Sequence, residues 1–352
     1  MSEETLLTRY ASSEEERLEQ EVRPRVLNEF VGQESIRQQL TIAMQAARAR
    51  GDAVDHILLY GPPGLGKTTL AQIVAAEMGG GLRTTSGPAI DHQGMLGSLL
   101  TGLEPRDVLF IDEVHRLSRP IEEALYPAME DFAFDWVAGK GVGAQAMRLS
   151  LNHFTLVAAT TRAGALGNAL RDRFGLTFRV DFYSPEDLCK IIYRSASILG
   201  VPIQEDAAPL LAARSRGTPR IANRLLRRAR DFAQVQSAST ISADIVEECL
   251  AVLGIDKHGL DGSDRRVLQL LCQTFAGKPT GLGTMAASLQ EETETLEDVI
   301  EPYLLRLGLI ARTPRGRVPT AAAFELLGLP TSRAVFPEEL VLPLESTPTS
   351  DR

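Results

Sequence analysis

The sequence predicts an α/β chain: a parallel sheet covered by helices, then a small all-helical domain, then a domain of three helices and a hairpin. Three observations carry this. Short apolar runs of strand length alternate with helical patterns over about 55–182, every segment from Ser184 to about 254 reads helical, and beyond Gly254 three more helical patterns end in a tight turn. A length of 352 residues exceeds one ordinary core and sets a prior of two or three domains.

The strand runs are HILLY (56–60), LRTTS (82–86), DVLFI (107–111), FTLVAAT (154–160) and LTFRV (176–180), with helices such as TTLAQIVAAEM (68–78) and PIEEALYPAMED (120–131) between them. Strands alternating with helices argue for parallel pairing with both faces covered. Over 131–150, Phe132, Phe134 and the single tryptophan, Trp136, alternate before the flexible AGKGVG, which predicts a β-hairpin inserted in the sheet domain. Ser184-Pro185-Glu186 is a helix start, with Ser184 as N-cap and Pro185 at the first helical position. DRRVLQLLCQTF (264–275), TGLGTMAASLQ (280–290) and TLEDVIEPYLLRLG (295–308) precede a hairpin around TPRG, the outline of a winged helix. The expected domains are therefore 1–183 (with 1–20 a flexible arm), 184–254 and 257–330, followed by a Pro-rich, disordered tail over 331–352.

Composition sets limits. Apolar residues at 44% and charged residues at 24% exclude wholesale disorder, and no apolar run approaches the roughly 20 residues of a membrane span. The opening MSEE is no secretory signal, and three cysteines without Cys-x-x-Cys spacing argue against a disulfide framework or a zinc site, so a cytoplasmic location is expected. A net charge of −9 excludes a uniformly basic surface but not a local basic patch.

GPPGLGKT (61–68) follows a strand and opens a helix. Gly61, Gly64 and Gly66 let backbone N–H groups turn inward around a phosphate chain, Lys67 reaches the β- and γ-phosphates, and the Thr68 hydroxyl suits Mg²⁺. DVLFIDEVHRL (107–117) ends a strand in two acids, Asp112 to hold Mg²⁺ through water and Glu113 to polarise the attacking water; Glu113 marks hydrolysis of ATP rather than binding alone. Thr160, with Thr161 as its rival, ends the next polar-tipped strand and could sense the γ-phosphate. Arg171 and Arg173 precede the last strand, and Arg220 opens the long helix of the helical domain. An arginine offered to the γ-phosphate by a neighbouring subunit accelerates hydrolysis by about 10³–10⁵.

This ordered set resembles the AAA+ ATPases. RPRVLNEFVGQ (23–33), FIDEVHRL (110–117), LRDRFG (170–175), GTPRIANRLLRR (217–228) and RTPRGR (312–317) are similar, more narrowly, to the RuvB family, the bacterial motors of Holliday-junction branch migration. That resemblance implies a homohexameric ring on duplex DNA, two rings per four-way junction, with RuvA as partner and RuvC in the resolving complex. It places Val22 and Arg23 at the adenine and has Gly61, Gly64, Gly66, Lys67, Thr68 and Thr69 hold phosphates. It also puts Glu130, Asp131, Phe132 and Tyr183 along the nucleotide cleft. It makes Arg173 the finger acting in trans, Arg220 the sensor of the helical domain, Arg312 and Arg317 the DNA contacts of the wing, and Trp136, Val137, Val142 and Met147 the RuvA-docking face of the hairpin. A clamp loader or replication initiator would share the nucleotide motifs, and a nucleotide-sensing winged-helix regulator would need base readout from a helix carrying Glu297, Asp298 and Glu301.

Overall fold

The computed structural model describes residues 19–138 and 145–330. The expected arm, apart from Glu19 and Gln20, the tail beyond 330 and Val142 lie outside these residues, as does the Val137 side chain. The chain divides into two compact units, 1–243 and 244–352.

In the first unit five strands form one parallel sheet: β1 (Ile57–Tyr60), β2 (Leu82–Ser86), β3 (Val108–Asp112), β6 (Thr155–Thr160) and β7 (Leu176–Arg179), in the order β2-β3-β6-β1-β7. The interior strands are the near-continuous apolar runs, and all six residues of β6 are buried, as expected where helices cover both faces. The edge strands are the mixed ones: Arg83 and Thr84 on β2, Thr177 and Arg179 on β7, are exposed, which blunts both edges. Leu58, Leu109, Ile111, Leu156 and Ala158 share one face and pack against Leu96, Leu100, Ile121 and Leu125 of the helices Gln93–Thr101 and Arg119–Glu130.

The inserted hairpin is present, with β4 (Ala133–Ala138) antiparallel to β5 (Gln145–Ser150). Its aromatics belong to the core more than to a projecting face. Phe134 is fully buried in the cluster just described, Trp136 is partly buried beside it, and a Cβ on Gly94 would meet the Trp136 ring at 3.3 Å. Met147, across the ladder from Trp136, is 48% exposed.

Three helices follow, Pro185–Ile198, Ala207–Arg214 and Pro219–Val235. Ser184 caps the first, its hydroxyl accepting the Asp187 N–H at 3.1 Å. The division into compact units falls at the first residue of the helix Ala243–Val252. Ile241 is tied back to Pro202 and Gln204 by two backbone bonds, whereas the N–H groups of Leu253, Gly254 and Ile255 bond to the helix Ala243–Val252 itself.

The second unit's helix Gly262–Gln269 is fixed by a reciprocal capping box between Asp261 and Asp264. The helix Leu282–Leu289 follows, then a helical run over 293–306. Within that run the turn Leu296–Ile300 widens to π geometry, one turn before Pro302, which has no N–H to give the ladder. β8 (Ile310–Thr313) and β9 (Gly316–Pro319) pair antiparallel, and Thr280 bridges Arg317 on the other side of β9. A short helix, Ala321–Leu326, which the sequence pattern did not predict, buries Phe324 in the core with Leu268, Leu271 and Leu304.

Candidate active site

The carboxyl ends of β1, β3 and β6 converge, Tyr60 beside Thr160 and Ile111 beside Ala158, and ligands of such sheets bind there. The loop that leaves β1 carries positive φ at Gly61, Gly64 and Gly66. Two of these glycines are also sterically required. A Cβ on Gly61 would lie 2.3 Å from the Val180 carbonyl oxygen, and one on Gly64 would lie 2.8 Å from Thr218 Cγ2. The helix Lys67–Met78 begins at the lysine, so its unpaired N–H groups and positive dipole end face the loop. Lys67 Nζ donates to the carbonyls of Gly61 and Pro62 at 2.7 and 2.8 Å. Burial pushes its pKa down to about 8, with Asp112 opposing the shift and Arg220 adding to it.

Lys67, Thr68, Thr69, Asp112, Glu113 and Thr161 line one cleft, walled further by Val22, Arg23, Phe30, Tyr183 and Arg220. Gly64 and Gly66 line it too, while Gly61 forms the base of the loop behind them. Asp112 Oδ1 accepts the Glu113 N–H at 2.9 Å. Glu113 itself sits in the left-handed region at φ 49, a strain of about 1–3 kcal/mol that clusters at functional positions, and its carboxylate meets Arg116 at 3.2 Å. Burial pushes the Tyr183 phenol up, and its hydroxyl donates to the Leu65 carbonyl at 3.2 Å.

Between the two threonines the structure favours the rival. Thr160 is fully buried, its hydroxyl occupied by His115 Nδ1 and by the Arg162 N–H, both at 2.9 Å. Thr161 lines the cleft, and its buried Oγ1 has no hydrogen-bond partner among the described residues. Thr161 lies one residue past β6, so the turn leaving the strand brings its hydroxyl to the cleft.

Glu130, Asp131 and Phe132 do not line this cleft. The helix Arg119–Glu130 starts just past Glu113 and its 12 residues carry the chain about 18 Å away. Phe132 stacks on His153 at 4.1 Å, against the beginning of β6, and Asp131 pairs with Arg148 at 2.5 Å. Arg173 lies with this group, outside the cleft. Its guanidinium is 4.1 Å from the Tyr126 ring centre and 3.0 Å from Glu130, and its buried Nε has no partner among the described residues. Arg220 stands at the cleft, its backbone N–H reaching the Gly64 carbonyl at 3.4 Å and its side chain Glu19 at 3.6 Å. Phe30 and Arg194 are among the cleft residues that escaped the sequence reading. Phe30 would meet a Cβ on Gly66 at 3.2 Å, and Arg194 donates to the Val22 carbonyl at 2.6 Å while pairing with Glu29 at 2.9 Å. Phe30 stands in the segment RPRVLNEFVGQ but as an apolar residue carries no nucleotide chemistry to mark it, and Arg194 stands in no motif.

The donor set suits a nucleotide with its magnesium. The glycine cradle and the orphaned Thr161 hydroxyl await a polar chain. Thr68 and Asp112, both in the cleft, are the residues that would hold a Mg²⁺ carried by the phosphates.

The wing departs from expectation. Arg312 and Arg317 do not project from the hairpin tip; they face each other across the ladder, on the side of β8 and β9 that also carries buried Ile310. Both reach Glu301, Arg312 Nε at 2.8 Å and Arg317 Nε at 2.9 Å. The exposed tip residues are Pro314 and Arg315.

A phosphate-gripping loop and a water-activating carboxylate, roofed by a helical domain with an arginine of its own, are the machinery of an AAA+ ATPase, and this chain is one. Family models agree domain by domain: the Holliday junction DNA helicase RuvB P-loop domain over 22–180, the RuvB AAA lid domain over 183–256 and the RuvB C-terminal winged helix domain over 257–328. A Holliday junction branch migration complex subunit RuvB of Chloroflexus aggregans is 54% identical over 98% of this chain and 97% of its own length. One of Dehalococcoides mccartyi is 54% identical over 93% and 94%. The solved structure of the Thermotoga maritima RuvB Holliday junction branch migration motor superimposes with a TM-score of 0.81 at 48% identity, over 88% of this chain and 99% of that one. The chain belongs to the RuvB family.

Proposed function

We propose that this chain is the ATP-driven motor of Holliday-junction branch migration in recombination and DNA repair, working in the cytoplasm as a hexameric ring on duplex DNA, two rings per four-way junction. RuvA is its partner at the junction, and RuvC joins in the resolving complex. The observation that carries the ring is the position of Arg173. It lies outside its own cleft beside Glu130, Asp131 and Phe132, so these four serve a nucleotide only if a neighbouring copy brings its cleft to them. ATP with Mg²⁺ supplies the phosphoanhydride whose cleavage drives the cycle. Lys67 and the loop N–H groups hold the phosphates, Glu113 takes the proton of the attacking water, and Thr161 orients that water from just past the end of the neighbouring strand β6. Arg220, fixed at the start of the helix Pro219–Val235, links the helical domain to the phosphates. Contacts of the wing would be to DNA phosphates, hence indifferent to sequence, as translocation requires.

The deciding experiment is migration of a synthetic four-way junction with ATP, with and without RuvA. Migration that needs both supports the motor. Loading of another protein without migration would move the chain to the clamp-loader class.

A further inference from the structure

We infer that Glu301 is a positioning residue of the wing: one buried carboxylate clamps Arg312 and Arg317 from opposite strands and sets the direction in which both present their remaining N–H groups to a phosphate. This rests on the wing being the DNA-binding surface.

Glu301 is 4% exposed, and a glutamate is rarely so buried unless its charge is met. Here it is met twice. Oε1 takes Arg312 Nε at 2.8 Å and Arg317 Nε at 2.9 Å, and Oε2 takes Arg317 Nη2 at 3.1 Å. Glu297, one turn earlier, lies 3.9 Å from Arg317 Nη2. The Arg317 backbone is held as firmly, its N–H and carbonyl both exchanged with Thr280 at 2.8 and 2.9 Å. Next to it Gly316 approaches Thr280 so closely that a Cβ would lie 2.4 Å from that carbonyl oxygen.

Each arginine is therefore fixed along its Nε edge and not along the whole fork. Arg312 gives only Nε to Glu301, and its side chain is 51% exposed; Arg317 Nη1 is uncommitted among the described residues. A guanidinium has five donors in one plane. Holding one edge aims the other and removes in advance the rotamer freedom that phosphate contact would otherwise have to remove.

Charge counting and positioning predict opposite signs. Neutralising Glu301 makes the wing more positive, so a plain electrostatic view expects tighter DNA binding. Positioning expects weaker binding. The test is affinity of the full chain for a labelled mixed-sequence duplex over a salt series, for Glu301→Gln, Arg317→Ala, the double variant and Arg315→Ala at the exposed tip. We expect Glu301→Gln to bind about threefold or more weaker, with a salt slope shallower by roughly one contact, and to add a smaller loss in the Arg317→Ala background, where only Arg312 is left to lose its aim. Glu301→Asp keeps the charge but withdraws the carboxylate by about 1.5 Å, beyond reach of both Nε atoms, and should show the same loss; it decides the matter if thermal melting shows the Gln variant unfolded. Unchanged or tighter binding by a folded Glu301→Gln or Glu301→Asp protein, while Arg315→Ala or Arg317→Ala weakens it, overturns the clamp alone. If no variant alters binding, DNA lies elsewhere and the wing reading falls with the clamp.

Discussion

Nucleotide affinity should fall as pH rises through the range in which most proteins bind ATP evenly. Lys67 is the cause. In the protein alone burial holds its pKa near about 8 instead of the ordinary 10.5, whereas the phosphates it grips favour the charged form. A base whose pKa rises on binding takes up a proton. Affinity is thus complete below the free-state value and drops as pH climbs past it, by up to tenfold per unit until the bound-state value is reached. Between about pH 7 and about pH 9 the loss comes to roughly tenfold, or about 1.4 kcal/mol. Tyr183, the phenol at the cleft, is pushed up by its burial and stays neutral throughout this window. Isothermal titration with a non-hydrolysable ATP analogue at several pH values, in buffers of different ionisation enthalpy, would read both the slope and the proton uptake. Lys67→Arg, charged at every pH used, should bind less well but without the slope. A flat wild-type profile, or a slope that survives in the Arg variant, refutes the assignment.

Glu113→Gln should bind ATP normally and hydrolyse it hundreds of times more slowly, on the order of 10²–10⁴; near-normal turnover would remove Glu113 from the chemistry. Arg173→Ala should be inactive alone yet regain hydrolysis when mixed with Lys67→Ala, since each supplies what its neighbour lacks; failure to rescue in proven mixed rings would place Arg173 in cis. Thr161→Val should lower kcat with little change in melting temperature, whereas Thr160→Val strands the Arg162 N–H and should cost about 1–3 kcal/mol of stability. The reverse pattern in a coupled ATPase and calorimetry series would restore Thr160 as the sensor. Met147→Glu, on the exposed side of the hairpin, should leave basal ATPase intact and abolish stimulation by RuvA; full stimulation would show that docking happens elsewhere.

Most of the sheet could be read in advance because its interior strands are unbroken apolar runs and its ligand loop is a motif whose glycines are forced by contacts such as Gly61 against Val180. What could not be read is direction. Glu130 and Phe132 follow the Asp-Glu strand by fewer than 20 residues, yet a helix lying along the sheet carries them to the opposite end. Arg312 and Arg317 flank a tight turn, but the two-residue period that joins Arg312 to Ile310 turns both toward the helix. Glu301 reads as one more acid on a surface helix; only tertiary packing shows it buried between two cations. The tryptophan hairpin was half visible: its strands follow from alternation, while the burial of Phe134 depends on Gly97, where a Cβ would meet the ring at 2.7 Å.

The contact between Gly64 and the Thr218–Arg220 segment makes the helical domain a lever with its pivot at the phosphates. The helix that begins there has 17 residues, an arm of about 25 Å at 1.5 Å per residue. Tilting it by about 10° displaces the far end near Val235 by roughly 4 Å, while the pivot moves by a fraction of an ångström. Were one phosphate lost, a small shift of atoms at the loop would be enough. A rigid arm of this length amplifies that shift to a scale that matters along a duplex, where one base pair rises about 3.4 Å.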